Sequence, residues 1–154
     1  MIEVYCDGSC RNNGYSNSAG GWCFAIIRDK EKLDISFSGA AEGTTNNRME
    51  LMAFIRAAQY VKENKLGPAT YYIDSAYVVN AFNQNWLQNW IANNWINSSK
   101  KPVKNQDLWK ELLIALDGEF YTIEKIKGHQ GNGNWNDYVD KEAVKASTWL
   151  KENK

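Results

Sequence analysis

The sequence predicts an α/β fold in which a five-stranded mixed β-sheet is flanked by α-helices. Three observations lead there. Short apolar stretches rich in β-branched and aromatic residues occupy 2–7, 20–28, 33–39, 69–74 and 120–127, with the length and composition of strands. Apolar residues recur at helical spacing over 46–64, 105–117 and 136–152. Three strands precede the first helix, and each of the last two strands is reached through helices. That order implies antiparallel pairing first and parallel crossovers afterwards.

Segment 2–7 alternates Ile2, Val4 and Cys6 against Glu3, Tyr5 and Asp7, a strand with one buried face that Gly8 breaks. Segment 20–28 carries Trp22, Phe24, Ile26 and Ile27, and a polar turn at 29–32 returns the chain as 33–39 to complete a hairpin. The first helix places Leu51, Phe54, Ile55, Ala58 and Val61 on one stripe, with Thr45 or Asn46 available as its cap. Gly67-Pro68 ends the next connection. Segment 69–74 sets Tyr71 and Ile73 opposite Tyr72 and Asp74. Two short helical patterns fill 76–97. The helix at 105–117 turns Leu108, Leu112 and Ala115 inward, and the last helix does so through Val139, Ala143, Ala146 and Leu150.

The length of 154 residues fits one domain spanning 1–154. Hydrophobic residues make up 44% and charged residues 23%, which separates the chain from disordered sequences. Lys+Arg and Asp+Glu both number 18, so the basic coat of a non-specific nucleic-acid binder is absent. A polyanionic partner must be held by local patches, neutral donors or metal ions. No apolar run approaches the length of a membrane span, and the first residues do not resemble a signal peptide. Cys6, Cys10 and Cys23 lack metal-ligand spacing. Cys6 and Cys23 read as small buried hydrophobes, in keeping with a reducing cytoplasm.

Chemistry is concentrated in carboxylates. Asp7 and Asp74 each end a predicted strand, and groups beyond strand ends line the ligand crevice of α/β sheets. Taken singly, each reads as a turn former or helix cap. Glu50 and Asp140 lie beside the apolar stripes of the first and last helices, where a lone acid is usually a rim residue. Convergence would change that reading. Two unit charges 4 Å apart repel by about 4 kcal/mol at an effective dielectric of 20. Arg48, the nearest arginine in sequence, cannot balance four acids. Hard oxygen ligands suit Mg²⁺ or Mn²⁺, as in two-metal phosphodiester chemistry. His129, the only histidine, sits in the glycine-rich loop KGHQGNGN. A loop histidine is most often simply solvated, but near a metal cluster it can move protons at neutral pH.

In order and spacing, these residues resemble the ribonuclease H family of type 1. The pieces are DGSC at 7–10, TTNNRMEL at 44–51, Asp74-Ser75 with Tyr77-Val78, KPVKN at 101–105 with DLW at 107–109, and Gly128-His129 with Asn136 and Asp140. Together they cover nearly the whole chain. The resemblance implies a ribonuclease H-like fold and endonucleolytic hydrolysis of the RNA strand of RNA–DNA hybrids. It implies 5′-phosphate and 3′-hydroxyl products. Asp7, Glu50, Asp74 and Asp140 match the metal-binding carboxylates, with two Mg²⁺ per site and Mn²⁺ as a substitute. His129 matches the loop histidine that aids proton transfer or product release. Asn13, Asn46, Asn47 and the backbone around Cys10 match positions that contact the hybrid, and Asn136 matches the last motif's asparagine. Thr45 and Asn105 match a pocket for a DNA-strand phosphate, and Trp86 an aromatic against the DNA sugar-phosphate. The implied protein is a cytoplasmic monomer with no membrane association and no obligatory protein partner.

The chain departs from the pattern in three places, one of them a longer loop around His129. Residues 75–99, matching the basic helical handle of many bacterial relatives, contain no charged side chain but seven asparagines and three tryptophans. The tryptophans read mainly as packing, and Lys100, Lys101 and Lys104 follow the handle. Ala76 stands where the family often has a Gln that contacts substrate. A non-catalytic hybrid-binding module on the same fold is the alternative. Four clustered acids beside phosphates argue against it, because they would give a pure binder only repulsion.

Overall fold

The computed structural model describes residues 1–13, 15, 17–29, 32–126 and 134–153. Its strands are β1 (Ile2–Arg11), β2 (Ala19–Arg28), β3 (Lys32–Glu42), β4 (Ala69–Ile73) and β5 (Tyr121–Lys125). Its helices are α1 (Asn46–Glu63), α2 (Ala76–Asn83), α3 (Trp86–Ala92), α4 (Gln106–Leu116) and α5 (Trp135–Glu152). The five strands form one sheet in the order β3-β2-β1-β4-β5. β1, β2 and β3 pair antiparallel, whereas β1–β4 and β4–β5 are parallel. The element order and the mixed sheet are those the sequence predicts.

One core lies beneath α1 and α4. Val4, Cys6, Phe24 and Ile26 of the sheet meet Leu51, Phe54, Ile55, Ala58, Val61, Leu108, Trp109 and Leu112 there. Full burial of such aliphatic or aromatic side chains stabilises the fold by about 1.5–3 kcal/mol each. Thr45, not Asn46, caps α1: its hydroxyl accepts from the Arg48 N–H at 3.2 Å.

Three expectations are corrected. β1 does not stop at Gly8 but runs on to Arg11, with Gly8 opposite Trp22 and Cys10 opposite Gly20. Asp7 therefore sits inside a strand. The glycine is required by proximity. A Cβ on Gly8 would stand 2.4 Å from the Glu50 nitrogen and the Met49 carbonyl carbon, so its absence lets α1 lie directly on β1. Second, β1 is covered on both faces. Cys23, Ala25, Ile27, Val139 and Ala143 form a smaller core on the opposite side, with Tyr5, Trp135 and Tyr138 packed against it. Third, α5 buries Val139, Ala143 and Ser147, while Ala146 and Leu150 stay partly exposed. The stripe is narrow because α5 comes very close to β2 at Gly21, where a Cβ would collide with the backbone of Ala143 and Ser147. No helix among the described residues is long and apolar enough to cross a membrane.

Candidate active site

Both glycine contacts serve one place. Cys6 of β1 and Ile73 of β4 are parallel partners, so Asp7 and Asp74 follow side by side at the next position. α1 brings Glu50 to the same point from one face of the sheet, and α5 brings Asp140 from the other. The Gly8 N–H donates to Asp7 Oδ1 at 2.9 Å and to Glu50 Oε1 at 3.1 Å, tying strand acid to helix acid. Asp7 also lies within side-chain hydrogen-bonding range of Glu50 and Asp140. Neither Asp7 nor Asp74 is a helix N-cap among the described residues. Ser75, not Asp74, caps α2, accepting from the Val78 N–H at 3.2 Å. Asp7 caps nothing.

Asp7 is only 3% exposed. Burial, and then its hydrogen bond to Glu50 and the charges of Glu50 and Asp140, hold its carboxyl far above the ordinary range. Burial also raises Glu50, to about 7, although its bonds to Asp7 and Gly8 pull the other way. Glu50 Oε2 is buried and has no hydrogen-bond partner among the described residues. Arg48 does not serve the cluster; it bonds to Asn105 and Asp107. Among the described residues the cation at the acids is Lys125, with Nζ 3.6 Å from Asp74 Oδ1, a residue whose sequence context signals no role. Among the described residues, no three ligating side chains already close on a common point to form a finished metal cage. The donor set is nevertheless all carboxylate oxygen, short of positive charge and holding an orphaned acceptor, which fits hard divalent cations.

A second group of predicted residues gathers where α1 begins. Asn13 Oδ1 accepts from the Asn46 N–H at 2.8 Å, joining the turn after β1 to the helix. Ser18, fully buried, donates to Thr44 O at 2.8 Å and accepts from the Thr44 N–H at 2.7 Å. This clamp was not foreseen from the sequence, since nothing in a lone serine before a strand signals a partner 26 residues away. Cys10 Sγ lies 3.5 Å from Thr44 O. Asn13, Asn46 and Asn47 remain exposed. Asn136 is 2% exposed, and its amide has no partner among the described residues. His129 lies outside the described residues.

Residues 1–148 match the family model for RNase H. The chain belongs to the ribonuclease H family. It is similar to the ribonuclease H of Thermoanaerobacter sp. (strain X514), with 41% identity over 150 residues covering 96% of this chain and 92% of that protein. It is also similar to the ribonuclease H of Clostridium botulinum (strain Hall), with 42% identity and 94% coverage of both chains. Among solved structures, it resembles a type 1 RNase H with the type 2 active-site motif, at 28% identity and TM-score 0.78, covering 96% of this chain and 72% of that one. The solution structure of the PFV RNase H domain matches at 25% identity and TM-score 0.78, covering 96% and 94%. The five-stranded sheet flanked by helices is thus the family's fold.

The family is divalent-metal dependent. The neutral handle of this chain, α2 and α3 with the following loop, is packed as expected. Trp90 lies against Trp86, Trp95 and Trp109, with ring centroids 6.3, 6.3 and 5.6 Å apart. Trp86 stays half-buried and lines a groove of about 850 Å³ with Asn89, Trp90, Asn93 and Lys100. Lys100, Lys101 and Lys104 are exposed beside it.

Proposed function

We propose that this ribonuclease H cuts the RNA strand of RNA–DNA hybrids endonucleolytically at Asp7, Glu50, Asp74 and Asp140, leaving 5′-phosphate and 3′-hydroxyl ends. The observation that carries this reading is the buried Asp7 beside Glu50, Asp74 and Asp140, with Glu50 Oε2 unpartnered. Two Mg²⁺ are the proposed cofactors, with Mn²⁺ able to substitute, and the four carboxylates are their proposed ligands. When bound, the ions lower the pKa of the attacking water and stabilise the leaving 3′-oxygen.

The protein's own contribution is charge and placement. Asp7, held high by burial and by Glu50, and Glu50, held high by burial, release their proton readily only when positive charge arrives. An ion-free site therefore stays partly protonated. The Gly8 N–H fixes one oxygen of each acid, leaving the others for ligation. Lys125 lies beside Asp74, its Nζ 3.6 Å from Oδ1. His129 is proposed to move a proton during turnover or product release.

Substrate choice rests on neutral groups. Telling RNA from DNA requires reading the 2′-hydroxyl, which both donates and accepts hydrogen bonds. Asn13, Asn46, Asn47 and the backbone around Cys10 are the proposed readers, and Asn136 is a further proposed substrate-binding residue. Thr45 and Asn105 are proposed to hold a DNA-strand phosphate, and Trp86 to pack against the DNA sugar-phosphate. We place the enzyme in the cytoplasm as a monomer that works as one catalytic domain over 1–154, without an obligatory protein partner.

The test is cleavage of an end-labelled RNA strand, alone and annealed to DNA or to RNA, with Mg²⁺, Mn²⁺ or chelator, beside Asp74→Asn. Metal-dependent cutting of the hybrid alone, lost in the variant, is expected. A folded protein that binds hybrid but cuts with neither metal would overturn the catalytic reading in favour of a binding module.

A further inference from the structure

A hydrogen-bonded chain joins the starts of α1 and α4, and the carboxylate site does not account for it. Asn105 immediately precedes α4 with φ 62°, the left-handed conformation that asparagine tolerates better than most residues. It holds the N-cap position, yet its side chain does not cap the helix. Its Oδ1 instead accepts from Arg48 Nη1 at 3.2 Å, and its Nδ2 donates to the Tyr77 hydroxyl at 3.3 Å. The same hydroxyl accepts from Trp109 Nε1 at 2.9 Å. Asp107, in the first turn of α4, grips Arg48 with both oxygens, at 3.0 and 2.8 Å.

The donor and acceptor inventory makes this arrangement directional. A guanidinium only donates, so it can hold an Asn amide only by the oxygen. The two N–H groups of Asn105 therefore face away from Arg48. One reaches Tyr77, and the second remains for another acceptor. Arg48 also donates its backbone N–H to Thr45 Oγ1. It thus touches both residues proposed to hold the DNA-strand phosphate. Its own charge is matched by Asp107, so what meets the phosphate is a neutral donor.

We propose that Arg48, anchored by Asp107, is a positioning residue that orients the Asn105 amide so that Nδ2 rather than Oδ1 meets a phosphate oxygen of the DNA strand. This rests on the reading of Thr45 and Asn105 as a phosphate pocket. Without Arg48, the amide can turn its oxygen toward the phosphate, opposing two acceptors and losing the bond. Arg48 then acts on substrate only through Asn105.

The test is a double-mutant cycle read as KM and kcat on a labelled RNA–DNA hybrid, with a melting curve for every variant. Arg48→Ala and Asn105→Ala are each expected to raise KM about tenfold, the equivalent of ~1.4 kcal/mol, with kcat little altered. The double variant should be no worse than Asn105→Ala. Arg48→Lys, which still offers a donor to Oδ1, should recover part of the loss. Additive effects in the double variant would overturn the inference while leaving the phosphate pocket standing. A wild-type KM for Asn105→Ala would remove the pocket and the inference with it. A lower melting temperature for Arg48→Ala at unchanged KM would also overturn it, reducing Arg48 to a tie between two helices. If Arg48→Ala does not fold, Arg48→Lys with Asn105→Ala runs the same cycle.

Discussion

Replacing Gly8 with alanine tests whether the close approach of strand and helix builds the acid cluster. The added Cβ would lie 2.4 Å from the Glu50 nitrogen and the Met49 carbonyl carbon, and 2.7 Å from the Met49 oxygen. Non-bonded carbons rest roughly 3.5–4.0 Å apart, so α1 must retreat by about 1 Å. The obstructing atoms are backbone, and no rotamer change relieves them. Over-packing costs roughly 1–3 kcal/mol, against a gain of roughly 0.5–1 kcal/mol for Ala over Gly within a strand. A net loss of about 0.5–2 kcal/mol is expected by urea denaturation. The kinetic effect should be larger. The 3.1 Å bond from the Gly8 N–H to Glu50 does not survive such a retreat, and Glu50 withdraws from Asp7. Misplacing a reacting group by about 1 Å can cost on the order of 100-fold in rate, measured here as kcat/KM on labelled hybrid. Val61→Ala is the control. It removes buried volume from the same helix roughly 16 Å from Glu50, as the rise per residue dictates, and should lower stability without lowering kcat. Wild-type stability and rate in Gly8→Ala would refute the reasoning. Equal rate losses in the two variants would refute it too, by tracing the effect to general destabilisation.

Three further outcomes follow from the same structure. Glu50 titrates at about 7 when folded, against an ordinary 4.5, so the folded state binds the proton more tightly. That stabilisation is complete below the unfolded value and is lost as pH rises toward 7. The metal-free melting temperature should therefore fall from pH 4.5 to 7. Glu50→Gln should flatten the decline, and Mg²⁺ should restore stability at neutral pH in the wild type but not in Asp7→Asn. Lysines at Ile91, Asn93 and Asn94 should tighten hybrid binding at low salt and steepen the log–log salt dependence by about 0.9 per new phosphate contact. An unchanged KM and slope would show that the handle does not meet the substrate. Trp109 is fully buried against Tyr77, Phe82 and Trp90, so Trp109→Ala should cost about 3–5 kcal/mol in denaturant unfolding.

Much of this enzyme could be read from local patterns. The apolar stripe through Leu51, Phe54, Ile55, Ala58 and Val61 specified α1, because helical periodicity is a property of consecutive residues. The four acids were identifiable as motif positions, and the neutral character of 75–99 was visible as composition. What failed was Gly8 as a strand end. Glycine usually punctuates a chain, and only the presence of α1 across from it turns the missing Cβ into a packing requirement. The inward face of α5 was misplaced for the same reason, since Gly21 of β2 selects Ser147 over Ala146 and Leu150.

The sequence by itself determined the elements, their order and the family to which the chain belongs. Only the tertiary structure decided which residues act together. It gave Lys125 rather than Arg48 to the acids, Ser18 to Thr44, and Arg48 to Asn105 and Asp107. Those pairings span 26 to 59 residues along the chain. Hydrogen bonds and ion pairs depend on distances of a few ångströms, and such distances are fixed by how helices settle on a sheet, not by neighbours in sequence.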